Sequence, residues 1–351
     1  MVLMKSDSIS LTKPDDWHVH LRDGGALKTT VPHTAQSFAR AIVMPNLKSP
    51  ITTVSAALDY RDRILAARPK GNTFDPLMTL YLTESLTVNE IDLAQKTDAL
   101  TGVKYYPAGA TTNSESGVTD IVRVYPVLER MADMGVPLLI HGEVPDPSID
   151  IFDREQKFID TVLIPLVNRY PTLKLVLEHI TTSYAVDFII QQPENVAATI
   201  TAHHLLFNRN NLLSGGVRPH FYCSPILKHR SHQQALIEAA TSGNPKFFLG
   251  TDSAPHSRTD KEAECGCAGI YSAPAAIELY AEVFDSHGSL DKLESFASFH
   301  GADFYRLPRN KTSIVLQRKE WQMPENFQLG KDVVIPIRAG NAIHWQLDQI
   351  T

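Results

Sequence analysis

Cysteine is scarce in this chain: three residues, Cys223, Cys265 and Cys267, in a length of 351. So small and odd a set excludes a disulfide framework and points to a reducing compartment. Cys265-Gly266-Cys267 has no second cysteine pair to complete a Cys-rich metal site and is read as free thiols in a loop. Basic charge is not in excess either. The 33 Lys and Arg against 39 Asp and Glu give a net charge of −6, with no basic run, which argues against a nucleic-acid partner. No apolar run approaches membrane-spanning length, so no membrane partner is expected. The opening residues 1–8 lack the apolar core of a secretory signal, and the expectation is a cytoplasmic protein. Linkers rich in Gly, Ser or Pro, internal repeats and low-complexity segments are also missing. What remains, 43% apolar and 21% charged residues, describes a globular chain with a large core.

Short apolar or β-branched runs do recur, at 17–21, 41–44, 77–82, 102–106, 137–141, 173–179, 196–201 and 246–251. Several are hydrophobic almost without a break, as strands of a parallel sheet covered on both faces are. Helical periodicity fills most of the intervals, at 54–67, 88–96, 120–134, 151–168 and 232–241. Alternating strand and helix predicts an α/β fold, because parallel strands need crossovers. Eight repeats fit a (β/α)8 TIM-type barrel; an open doubly wound sheet would carry a Gly-rich phosphate loop after its first strand, and Gly24-Gly25 is not one. The expected organisation is one domain over 1–351, with the barrel at about 12–272. A C-terminal extension at about 273–351 would hold helices (275–284, 290–299) and strand pieces (314–316, 333–337).

In such barrels chemistry sits at the C-terminal ends of the strands. There the sequence places His18 and His20 on the first strand, Lys104 on the fourth, His141 on the fifth, Glu178-His179 on the sixth and Asp252 on the eighth. Residues i and i+2 of a strand share a face, so His18 and His20 project together with Val19 turned away. Arg22 follows and can offer a forked cation to a carboxylate beside a metal. One histidine alone is read as a hydrogen-bonded packing residue, but the set is best explained by a metal centre. Lys104 is the odd member, because an ammonium beside cations is repelled. A neutral amine can take up carbon dioxide as an anionic carbamate able to bridge two ions; the alternatives are a lysine turned to the surface or paired with a carboxylate.

The ordered segments Trp17-His-Val-His-Leu-Arg22, Met44-Pro-Asn46, Gly102-Val-Lys-Tyr-Tyr-Pro107, Thr111-Thr-Asn-Ser114, Leu139-Ile-His-Gly-Glu143, Glu178-His179, Phe207-Asn-Arg-Asn210, Gly215-Gly-Val-Arg-Pro-His220 and Gly250-Thr-Asp-Ser-Ala-Pro-His256 resemble the dihydroorotase family of the amidohydrolase superfamily, in its single-function bacterial type. The resemblance covers nearly the whole chain. It implies two Zn2+ per subunit, one held by His18, His20 and Asp252 and the other by His141 and His179. N6-carboxylated Lys104 and a hydroxide would bridge them. It implies further that Arg22, Asn46 and His256 grip a substrate carboxylate, that Thr111 and Thr112 sit on a mobile closing loop, and that the Ala268 backbone touches the ring. Ser224 departs from the family pattern, which has a leucine touching the ring through its backbone; a difference in packing around the ring is therefore expected, while a backbone contact survives. The implied reaction interconverts (S)-dihydroorotate and N-carbamoyl-L-aspartate in pyrimidine biosynthesis, with Asp252 as general base and then acid. A homodimer is implied as well.

Other residues are assigned to packing or surface. His203 and His204 lie just past the seventh strand without a spacing that demands a role, and His33, His229, His232, His287, His300 and His344 are treated likewise. His220 is given a structural role, and Trp17 is expected to pack beneath the histidines. Three rivals stand. A hydantoinase- or allantoinase-like cyclic ureide hydrolase would share the metal ligands without the carboxylate grip. A mononuclear deaminase would have no use for Lys104. A non-catalytic scaffold homologue would be expected to have lost ligands, and all six positions are filled.

Overall fold

The computed structural model describes residues 7–350; most of the opening segment read above for a secretory signal lies outside them. A strand β1 (Ser8–Thr12) precedes eight strands, β2 (Asp15–Val19), β3 (Arg40–Val43), β4 (Asp75–Tyr81), β5 (Leu100–Tyr105), β6 (Leu138–His141), β7 (Leu175–Glu178), β8 (Val196–Ile200) and β9 (Phe247–Leu249). These eight run parallel in sequential order, and a parallel bridge between Val19 and Ser253 joins the last to the first. The expected barrel is therefore the observed one. β6, β7, β8 and β9 are buried at every residue, which is why their sequence reads as unbroken hydrophobic runs.

Two apolar layers result. One packs the outer strand faces against the helices and includes Val19, Ile140 and Leu177. The other fills the barrel interior below the strand ends, with Trp17, Leu139, Val176, Phe248 and Tyr305. Trp17 is fully buried and stacks on Tyr305 at 4.7 Å between ring centroids, beneath the histidines as expected. A register irregularity between Asp16 and Val19 accompanies its inward placement. Gly301 sits so close that a Cβ there would lie 2.0 Å from Trp17 Nε1, so only glycine fits.

Among helices, Val54–Ala67 spans the expected residues, with Thr53 Oγ1 accepting from the Ala56 amide at 3.2 Å and Val54, Ala57, Tyr60 and Ile64 forming the buried stripe. The 151–168 segment begins later, at Arg154, and passes through a π turn (Ile159–Leu163) just ahead of Pro165, which has no N–H for the helical ladder. Likewise 290–299 divides into a 3-10 turn (Leu290–Lys292) and a π turn (Ser295–Phe299). The expected strand at 333–337 is confined to Asp332–Val334, two residues short of Pro336. The two longest of the helices not anticipated have separate causes. Leu27–Ser37 contains Pro32, a residue that reads as a breaker, and Ser183–Gln191 is too apolar around its circumference to show a stripe.

The C-terminal part returns to the start of the chain. β10 (Ser313–Gln317) lies between β1 and the strand Gln346–Ile350 in an antiparallel sheet. Glu278, buried on the helix Ala276–Ser286, accepts from the Leu347 amide at 3.2 Å through Oε1, while Oε2 has no partner. Burial, with Glu282 nearby, pushes its carboxyl from 4.5 up to about 7. Between those values the folded chain keeps a proton that the unfolded chain releases, so stability falls as pH rises through that window. Glu278→Gln should therefore raise thermal stability at pH 8 by about 1–3 kcal/mol and lose the advantage below pH 5. Thermal denaturation at the two pH values checks this. No helix among the described residues is long and apolar enough to cross a membrane.

Candidate metal centre and substrate pocket

Strand closure assembles the centre. The His20 amide donates to Ser253 O at 3.1 Å and the Asp252 amide to His18 O at 2.8 Å, so the first and last strands deliver their ligands side by side. Asp16 fixes the seam: its Oδ1 accepts from the amides of His18 (3.1 Å) and Thr251 (2.8 Å), and its Oδ2 from Thr251 Oγ1 (2.6 Å). Arg22, His179 and Asp252 have φ of +59°, +44° and +44°. Non-glycine residues are uncommon in that region, and such strain concentrates at functional sites. It also ends the strands earlier than hydrophobicity alone suggests, at Val19, Glu178 and Leu249.

His18, His20 and Asp252 bring ligand atoms within 4.8 Å of one another. His20 Nε2 lies 3.1 Å and His18 Nε2 3.4 Å from Asp252 Oδ1, and the two Nε2 atoms are 3.3 Å apart. The His141 and His179 rings follow, with centroids 4.9 Å apart, and His179 lies 5.0 Å from His18. Two imidazoles are hydrogen-bonded through one nitrogen, His20 Nδ1 to Asn46 Oδ1 (2.9 Å) and His141 Nε2 to Glu143 Oε2 (3.1 Å), while His18 Nδ1 has the Glu178 carboxylate at 2.6 Å without hydrogen-bond geometry. Such outer partners fix the ring and leave the second nitrogen for a metal. Glu143 and Glu178 as orienting groups were not foreseen; Glu143 lies only two residues beyond His141, a spacing the sequence displays, whereas the fold alone brings Glu178 to His18.

These donors fit a metal. Burial lowers His20 to about 4 and His179 well below its ordinary range, so both are neutral, as ligation requires. His179 Nδ1 is buried with no hydrogen-bond partner, an arrangement that is costly unless a ligand satisfies it. Burial opposes ionisation of Asp252, but His18 and the His20 hydrogen bond outweigh it and hold the carboxylate well below its ordinary range.

Lys104 is fully buried, which rules out the surface alternative; its unmodified Nζ pairs with Glu178 Oε2, the atom that also faces His18 Nδ1. Burial lowers its amine against the pull of Glu178. Of the expected site residues, Lys104 and His256 do not line the central pocket; the others do. His256 stands behind Arg22 in an outer vestibule, where its Nε2 is 2.8 Å from Arg22 Nη2. Burial, with Arg22 adjacent, lowers His256 to about 2, so it is a neutral acceptor for that N–H. Arg22 Nε is spent on Pro255 O at 3.0 Å, and no carboxylate pairs with this guanidinium among the described residues.

The segment carrying Thr111 and Thr112 lines the pocket. Asn46 Nδ2 donates to Thr112 O (3.1 Å), Asn113 Nδ2 to Asn46 O (3.1 Å) and Thr112 Oγ1 to Ala268 O (3.5 Å). Ser224 Oγ has Glu143 Oε2 at 3.0 Å and Ala110 O at 3.3 Å, so the serine hydroxyl touches both a histidine-orienting carboxylate and the closing loop. His203, His204 and Cys223 also cluster, but His204 is engaged on both nitrogens, with Thr201 Oγ1 (2.7 Å) and Pro225 O (3.0 Å), and supports the segment below Ser224. His220 pairs with Glu262 at 3.0 Å.

The profile of the Amidohydrolase family matches residues 15–317. A dihydroorotase from Shewanella denitrificans is 61% identical over 340 residues, which is 97% of this chain and 99% of the relative. The crystal structure of a dihydroorotase from Campylobacter jejuni is 36% identical, with a TM-score of 0.90 and 99% of both chains covered. That of a Saccharomyces cerevisiae dihydroorotase in complex with 5-fluoroorotic acid is 34% identical, TM-score 0.90, covering 98% of this chain and 99% of its own. An L-hydantoinase (dihydropyrimidinase) from Arthrobacter aurescens is 16% identical with a TM-score of 0.80, a likeness of fold alone; it covers 98% of this chain and 84% of its own.

Proposed function

Because the chain belongs to the amidohydrolase family, and within it to the dihydroorotases, we propose that it interconverts (S)-dihydroorotate and N-carbamoyl-L-aspartate through a binuclear zinc centre. The observation that carries this reading is the meeting, in one pocket, of a histidine–aspartate ligand set with the guanidinium of Arg22, which has no carboxylate partner among the described residues. A cyclic amide bearing a carboxylate answers both. Two ions, held by His18, His20 and Asp252 and by His141 and His179 with Nζ-carboxylated Lys104 between them, would supply Lewis acidity and an activated water.

The chain's own residues do the rest. Arg22, with Asn46 beside it and His256 orienting Nη2 from behind, holds the substrate carboxylate. Asp252, kept anionic, takes the proton of the attacking water and delivers it to the departing ring nitrogen; ring closure reverses this path. Thr111 and Thr112 close the pocket against bulk water, and the backbone at Ser224 and Ala268 bounds the ring. By the same reading the working form is a cytoplasmic homodimer.

Metal analysis of the purified protein should give two zinc ions per subunit, and absorbance should follow consumption of dihydroorotate. Faster turnover of hydantoin or allantoin than of dihydroorotate would replace this reading with the cyclic-ureide one. A fully metal-loaded protein that turns over none of the three would leave only the scaffold.

A further inference from the structure

Lys261 ends the short helix Arg258–Lys261, and its side chain runs inward until only 3% of the residue is exposed. Its ammonium meets three backbone carbonyls, Tyr222 O at 2.7 Å, Cys267 O at 2.8 Å and Gly269 O at 2.8 Å, and no carboxylate lies at ion-pairing distance among the described residues. Three donors thus meet three acceptors, the full complement of an ammonium. Burial lowers this amine to about 8, so at neutral pH it still carries all three protons.

The acceptors come from two separate loops. Tyr222 lies after β8, two residues before Ser224; Cys267 and Gly269 lie after β9 and flank Ala268. Ser224 and Ala268 both line the pocket. The closing loop rests on the same two residues, through Ala110 O on Ser224 Oγ and Thr112 Oγ1 on Ala268 O. The loops also touch directly, the Gly269 amide donating to Tyr222 O at 3.0 Å. At Gly269, φ is +153° and a Cβ would lie 2.6 Å from Ala254 O, so the backbone here is fitted closely to its surroundings.

We infer that Lys261 is a positioning residue for substrate binding: its ammonium ties the loop of Ser224 to the loop of Ala268 and sets the wall on which the closing segment docks. None of its hydrogen bonds goes to a metal ligand or to Arg22, Asn46 or His256, so its removal acts on ring binding and closure before it acts on chemistry. This rests on the function proposed above.

The test is Lys261→Met, which keeps the length of the side chain and removes its donors. KM for dihydroorotate should rise about tenfold or more while kcat stays within about threefold and zinc content is unchanged. Hydrogen exchange of the metal-loaded protein should quicken about tenfold at residues 220–226 and 264–270 and stay unchanged across β6 and β7. A fall in kcat at constant KM, or faster exchange throughout the barrel, would overturn the inference, as would no change in either. If the methionine variant does not fold, Lys261→Gln, which retains two donors, should show the same division at smaller amplitude, and failure to show it would overturn the inference. Should wild-type protein not turn over dihydroorotate, the proposed function fails, while the exchange measurement still decides whether Lys261 ties the two loops.

Discussion

Lys104→Ala is expected to lose bound zinc and to lower turnover of dihydroorotate by about 10^4-fold or more, the scale of a lost catalytic centre. Alanine removes two things at once. One is the nitrogen that would carry the carbamate; the other is the cation paired with buried Glu178. Breaking a buried pair costs about 3–5 kcal/mol by itself, so loss of fold must be separated from loss of bridge. Lys104→Arg separates them. Its guanidinium retains a charge for Glu178, yet it stays protonated at all working pH and cannot take up carbon dioxide. If Lys104 bridges the ions as a carbamate, the arginine variant loses metal and activity with a near-normal melting temperature. If Lys104 serves only as counter-ion to Glu178, the arginine variant keeps both. Metal analysis, and intact mass for one added carbon dioxide on the wild-type chain, read the outcome.

Arg22→Ala carries the second largest effect, with an opposite signature. Metal content should remain at the wild-type level, because no ligand atom belongs to Arg22. Turnover of dihydroorotate should fall by about 10^3-fold in kcat/KM, since a pocket built around an anion loses a charge-assisted donor. Neutral rings such as hydantoin gain nothing from the guanidinium, so their slow hydrolysis should not fall. A loss of zinc in this variant would mean that Arg22 supports the centre rather than the substrate. The structure favours the substrate role: the nearest partners of the guanidinium are Pro255 O and neutral His256, neither of which is a ligand in the proposed centre.

Which parts of the site were legible in sequence follows from the range of the interactions. His18 and His20 declare themselves because a strand repeats every two residues, so their shared face is a local property. Lys104 declares itself as an amine in a run of apolar strand residues. Gly24-Gly25 excludes a phosphate loop for an equally local reason. The outer partners are different. Glu178 meets His18 across 160 positions of chain and Glu143 meets Ser224 across 81, and nothing local links either pair. The helix Leu27–Ser37 stayed hidden for a smaller reason of the same kind: Pro32 is penalised locally, while packing of Leu27, Val31 and Ala35 on the barrel outweighs it.

Sequence by itself determined the alternation of strand and helix, the type of barrel, and the side chains able to hold metal, since periodicity and residue chemistry are carried by neighbours along the chain. Tertiary structure alone decided which nitrogen of His20 and of His141 is held by an outer partner, that no carboxylate among the described residues pairs with Arg22, and that His256 meets the Arg22 guanidinium. The reason is closure: when β9 returns beside β2, groups far apart in sequence are desolvated together, and in that dry space each must find a partner or await one.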